Sequence, residues 1–154
     1  MTAAARECGS CLLCCKLPYL AELNKPIDTW CKHAAPGRGC LIYAERPGSC
    51  RGFICGWLSG HVDDIWFPAR CKMIIAQRVP KHSVAEQGMA VTVDPAFPNA
   101  WRREPYYVQL RAWAQTMCIE IRVGRRCIRL HADGAEEEVR YSPSDIEGPR
   151  SDEV

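Results

Sequence analysis

The chain has 154 residues, 25% of them charged, and a formal net charge of +2 at pH 7. That length suits one domain with a modest core, and so small a net charge excludes whole-molecule attraction to nucleic acid. No apolar run is long enough to span a bilayer, and the opening MTAAARECGS lacks the apolar stretch of a signal peptide. A cytoplasmic chain without a membrane partner is therefore expected. In that reducing compartment disulfides are rare, and the eleven cysteines are an odd number that cannot all pair. Metal ligation is the expected use for them.

In chain order, residues 7–60 come first as a loop-rich, cysteine-rich lobe. Cys8, Cys11, Cys14 and Cys15 form a C-x2-C-x2-C-C run, and Cys31, Cys40, Cys50 and Cys55 follow at wider intervals. A two-residue spacer is short enough for neighbouring thiolates to reach one ion or one cluster without straining the backbone. Prolines and glycines break up any periodicity, so ligation has to supply order that the chain otherwise lacks. The segments Pro36–Cys40 and Pro47–Cys50 are expected to deliver a cysteine from a tight turn, with backbone N–H groups aimed at sulfur.

Cys14 and Cys15 are adjacent, and adjacent side chains diverge on a strand or a helix. They are expected to serve two different metals, or one to ligate while the other supports it. Eight cysteines divide into two sets of four, which suits two zinc ions. Three ligands in the one short C-x2-C-x2-C loop suit a corner of an iron–sulfur cluster, which is slightly favoured over zinc. Lys16, Lys32 and Arg51 each follow a motif cysteine, and Arg38 and Arg46 precede one, so cations are expected near the thiolate charge. His33 is an alternative ligand. Cys71 opens an apolar run and is expected as a buried core thiol.

Residues 71–141 predict a small α+β unit. Met73–Ala76 and Met89–Val93 are strand-like. A helix starting at Pro105 has Tyr107, Leu110, Trp113 or Ala114, and Met117 on one face. Ile119, Ile121 and Val123 alternate with Glu120 and Arg122. Gly124-Arg125 is a two-residue hairpin turn, with Ile128 and Leu130 on the returning strand. That turn pairs Val123 with Arg126, Ile121 with Ile128 and Ile119 with Leu130, and places Glu120 opposite Arg129. Cys118 and Cys127 are then too far apart to share a bond or a metal. Residues 142–154 are expected to be a disordered tail. Seven arginines from Arg102 to Arg129, with Trp101, Tyr106 and Trp113, outline a conceivable nucleic-acid surface. Glu120, Glu136, Glu137 and Glu138 balance it, and a solvated face is the preferred reading.

The stretches C-G-S-C-L-L-C-C-K at 8–16, W-C-K-H at 30–33, G-C-L-I-Y at 39–43 and R-P-G-S-C-R-G-F-I-C-G-W-L at 46–58 resemble the CxxCxxCC (YkgJ-like) cysteine-cluster family, described as a zinc- or iron-chelating domain. The resemblance covers about residues 8–58 and implies chelation by Cys8, Cys11, Cys14, Cys15, Cys31, Cys40, Cys50 and Cys55. The flagellin lysine N-methylases are similar through the same cysteine pattern, and their resemblance implies cluster-assisted methyl transfer.

The expectation is thus a single α+β domain: an irregular metal-binding lobe packed on a small sheet with one main helix and a C-terminal hairpin. It is expected to chelate an iron–sulfur cluster or zinc. A cluster-dependent enzyme of methyl or electron transfer, or a zinc-containing nucleic-acid binder, are the alternatives.

Overall fold

A computed structural model describes residues 6–77 and 87–141; the expected tail 142–154 lies outside them. The chain is α+β. Short elements fill the first half: β1 (Ala34–Ala35), β2 (Gly39–Cys40), α1 (Gly48–Gly52) and α2 (Pro68–Cys71). The second half holds β3 (Met73–Gln77), β4 (Gly88–Val93), α3 (Tyr106–Trp113), β5 (Cys118–Val123), β6 (Arg126–Leu130) and β7 (Glu136–Val139). Strands β3 to β7 form one sheet in sequence order. Neighbours run antiparallel except β4 and β5, which are parallel. A parallel pair needs a crossover, and α3 lies in it.

The β5–β6 hairpin has the expected register: Val123 opposite Arg126, Ile121 opposite Ile128, Ile119 opposite Leu130 and Glu120 opposite Arg129. Gly124 takes the turn at φ 61°, where a side chain is disfavoured. The two strands that the apolar runs indicate pair as Met73 with Val93 through Gln77 with Met89. Strand β7 departs from the sequence reading. Glu136, Glu137 and Glu138 are not only counter-charges on a solvated face; they form an edge strand beside β6, with Glu137 opposite Arg129. A charged edge strand discourages pairing with further chains.

Alternation sorts the sheet into two faces. Met73, Ile75, Met89, Val91, Val93, Ile119, Ile121, Ile128 and Leu130 point into the main core. Helix α3 covers that face with Tyr106 and Leu110 buried and Tyr107, Trp113, Ala114 and Met117 packed beside them. The buried tyrosine is Tyr106 and not Tyr107, one position from the expected stripe. Trp66, 1% exposed, sits between Tyr106 and Trp113, with ring centroids 4.9 and 5.1 Å away. Trp101 and Tyr106 are buried, so neither offers an open face for stacking a base.

The cysteine-rich lobe packs on the other face. Leu13 and Leu17 form a small second core with Ile74 of β3. Full burial of a leucine side chain stabilises by about 1.5–3 kcal/mol, and Leu17 is wholly buried. Polar links flank this contact. The Lys16 ammonium meets Asp94 at 2.7 Å, and Arg122 of β5 donates to the carbonyl of Leu17 at 3.1 Å. No helix among the described residues is long and apolar enough to cross a membrane.

Candidate metal centre

Tight backbone turns shape the N-terminal run. The amide of Cys11 donates to the carbonyl of Cys8 at 2.8 Å, and Cys15 to Leu12 at 2.8 Å. Residues Leu13–Cys15 form a single 3-10 turn. The amide of Cys31 then donates to the carbonyl of Cys15 at 2.9 Å, bringing the second cysteine segment alongside the first. The β1–β2 hairpin places Ala34 opposite Cys40. Pro47 precedes α1, which carries Cys50. The expected tight turn at Pro47–Cys50 is thus the first turn of a short helix, for which proline supplies a compatible φ. Glu22 holds that helix by accepting from the Ser49 hydroxyl at 2.6 Å. Cys55 is positioned by the next residue: the Gly56 amide donates to the carbonyl of Ile75 in β3 at 2.6 Å.

All eight sequence-predicted cysteines line one cavity of about 280 Å³. Its other walls are mostly apolar, and its charged residues are Lys25 and Arg46, both cations. No disulfide is present among the described residues. Backbone N–H groups point at sulfur: His33 at Cys31 (3.5 Å) and Leu58 at Cys55 (3.4 Å). Such bonds stabilise thiolate charge. His33 therefore meets Cys31 through its backbone.

The Cys14 and Cys15 thiols hydrogen-bond to each other, so they do not diverge as neighbours on a helix or strand would. The bond, aided by burial, pushes the Cys14 thiol up, and the same bond holds Cys15 below its ordinary value. Burial pushes Cys8, Cys11 and Cys50 up, with repulsion from neighbouring cysteines adding to it. Thiols with raised values stay protonated at neutral pH until a metal displaces the proton. Among the described residues, no three His, Cys, Asp or Glu side chains form a ready cage for one ion. The eight cysteines line a space and are not gathered about one point.

The expected cations divide. Arg46 lines the cavity, stacks on Tyr43 at 3.9 Å, and acts on Cys8 and Cys14. Arg51 is exposed and donates to the carbonyls of Arg46 and Ala44. It braces the loop from outside. Lys16 is taken up by Asp94 and lies over Trp30, while Lys32 and Arg38 are not in the cavity wall. Sequence reasoning missed Lys25. Only 5% exposed, its ammonium donates to the carbonyls of Lys16, Pro26 and Thr29 at 2.8, 2.9 and 3.0 Å. Cys31 and Cys15 are among its electrostatic neighbours. No local pattern in L-N-K-P marks such a lysine.

Cys71 is fully buried and donates to the carbonyl of Met73 at 3.3 Å. The pairing sets Cys118 and Cys127 apart along the hairpin: Cys127 faces Arg122, and Cys118 faces Gly88 of β4. Neither lines the cavity. Comparison with protein-family models, curated protein sequences and solved structures gives no match.

Proposed function

We propose that this protein chelates a thiophilic metal centre, an iron–sulfur cluster or zinc, through the eight cysteines of its N-terminal lobe. The observation that carries this reading is the single cavity walled by all eight thiols. Its donor set is entirely soft sulfur, the ligand class that suits iron–sulfur centres and zinc. N–H donors on sulfur and two wall cations offset the negative charge that a thiolate-ligated centre carries. The residues present fit such a group.

An iron–sulfur cluster is favoured because the thiols surround a volume and not a point. Successive cysteines of a short loop bind different irons of a cluster, whereas tetrahedral zinc gathers four sulfurs at about 2.3 Å from one centre. Zinc is the second reading, supported by the division of eight thiols into fours. The proposed role is that of a chelating module in a reducing cytosol, serving a structural, redox or metal-handling purpose. Anaerobic purification followed by metal analysis and an absorption spectrum tests it. Iron with broad absorption around roughly 400 nm identifies a cluster, and zinc without colour the alternative. A metal-free, colourless protein that takes up neither metal overturns the reading.

A further inference from the structure

One zinc ion takes four thiolates, and one all-cysteine [4Fe–4S] cluster also takes four. Eight thiols in one cavity exceed what either centre can use. The wall of the cavity shows how they divide. The Cys11 amide donates to the carbonyl of Cys8 at 2.8 Å, and Cys8 has Cys14, Cys55 and Cys11 as its electrostatic neighbours. Cys11, Cys14 and Cys55 each pack against the apolar bed of Leu13, Leu17 and Ile74. The neighbours of Cys15, beyond adjacent Cys14, are Cys40, Cys31 and Cys50.

Backbone geometry ties the second group together independently. Cys31 donates to the carbonyl of Cys15, and Ala34 donates to that of Cys31 while facing Cys40 in the β1–β2 hairpin. The cations divide the same way. Arg46 acts on Cys8 and Cys14, and Lys25 is influenced by Cys31 and Cys15. Cys50 has Cys14 as its first electrostatic neighbour, ahead of Cys31 and Cys40, so it stands at the border of the two sets.

We infer that the cavity holds two four-thiolate metal sites side by side, one from Cys8, Cys11, Cys14 and Cys55, the other from Cys15, Cys31, Cys40 and Cys50, meeting at the Cys14–Cys15 pair. This rests on the chelating reading above and assigns its ligands. With zinc as the probe, each site forms four Zn–S bonds, and the thiol protons pass to buffer. The Cys14–Cys15 hydrogen bond is lost as both sulfurs turn to separate metals. The adjacent pair is then the partition wall: side chains one residue apart reach two centres that a spacer would separate.

The test is anaerobic reconstitution of the full chain with Zn²⁺ and counting by native mass spectrometry. The expected result is about two zinc ions per chain, and about one in each of C8S/C55S and C31S/C40S. Because a double variant can unfold, the wild-type chain is also loaded with cadmium. Cadmium–proton NMR couplings then name the cysteines on each ion without any substitution. Two signals, each coupled to one set, are expected. Zinc binding by the wild type with cadmium coupled to cysteines of both sets, or with only one ion held, overturns the partition and leaves chelation standing. A wild-type chain that takes up no metal overturns both.

Discussion

Gly39 lies against the carbonyl of Gly9: a Cβ built on Gly39 would stand 2.8 Å from that oxygen. This approach brings the loop of Cys8 beside the hairpin of Cys40, so two glycines let two cysteine segments meet. Gly39 also has φ +96°, a conformation disfavoured for a side chain. Replacing Gly39 by alanine should cost about 1–3 kcal/mol and reduce metal content. Gly37 is a matched control, with φ +77° but nothing within 4 Å of its Cβ position. Its alanine variant should lose about 1 kcal/mol and keep its metal. Denaturant midpoints and metal analysis of both variants decide this, and equal metal loss would show that the close contact is immaterial.

Arg122 links the sheet to the lobe. It donates to Leu17 and Gly124 carbonyls at 3.1 and 2.6 Å and meets Asp28 at 3.4 Å, with both side chains largely buried. Asp28 already has one buried oxygen without a hydrogen-bond partner among the described residues. Arg122→Ala should therefore cost about 2–4 kcal/mol, leaving the Asp28 carboxylate unpaired, although the Leu17 carbonyl keeps the Asp28 amide at 3.1 Å. Hydrogen exchange should rise in residues 16–30 and stay low in β3 and β4. Unchanged exchange in 16–30 would mean that Leu13 and Leu17 hold the lobe unaided.

Cys71 makes stability depend on alkaline pH. Burial pushes its thiol up from 9.0 to about 12, offset in part by backbone hydrogen bonds. A raised value means the folded state holds the proton more tightly than the unfolded one. The contribution is complete below pH 9 and is lost as pH rises towards about 12. The loss from this group approaches 1.4 kcal/mol per pH unit. In urea titrations of metal-free protein, Cys71→Ala should start less stable but decline less steeply above pH 9 than the wild type. Parallel declines would remove Cys71 from the account. In the folded wild type, Cys71 should also resist alkylation at pH 9.

The sheet was the legible half. Strict alternation on both sides of Gly124-Arg125 admits one hairpin register, because a one-residue slip would turn Ile119, Ile121, Ile128 and Leu130 away from the core. The helix after Pro105 was legible to within one residue. Tyr106 and Tyr107 are both aromatic, and only packing against Trp66 selects Tyr106. Strand β7 was hidden because three consecutive glutamates have no β signature of their own; pairing beside Arg129 makes them a strand. In the lobe, spacing marked the eight cysteines that line one cavity but not how they meet. That depends on the Cys31-to-Cys15 backbone bond and the Gly39–Gly9 approach, both between residues far apart in sequence. The interaction of the Cys14 and Cys15 thiols is likewise announced by no helical or strand period.

Lys25 provides the sharpest check on the electrostatics of the cavity. Burial pushes its ammonium below the ordinary lysine value, while Cys31, Asp28 and Cys15 pull it back up. Three carbonyls take its three protons, so the charged form is fully hydrogen-bonded although almost no water reaches it. Thiolates formed on metal binding would add negative charge beside it and favour the ammonium further. Lys25→Met removes the charge and strands the carbonyls of Pro26 and Thr29, while that of Lys16 keeps the Thr29 amide at 3.0 Å, at an expected cost of about 2–4 kcal/mol. It should also weaken metal binding, and more at the Cys31 side than at the Cys8 side. Lys25→Gln retains a donor without the charge and separates the two effects: it should recover part of the stability but little of the metal affinity. Stability is read from denaturation of the metal-free chain, and affinity from chelator competition. If the glutamine variant binds metal as tightly as the wild type, Lys25 is a structural clasp only, and the charge on the thiolates is balanced elsewhere.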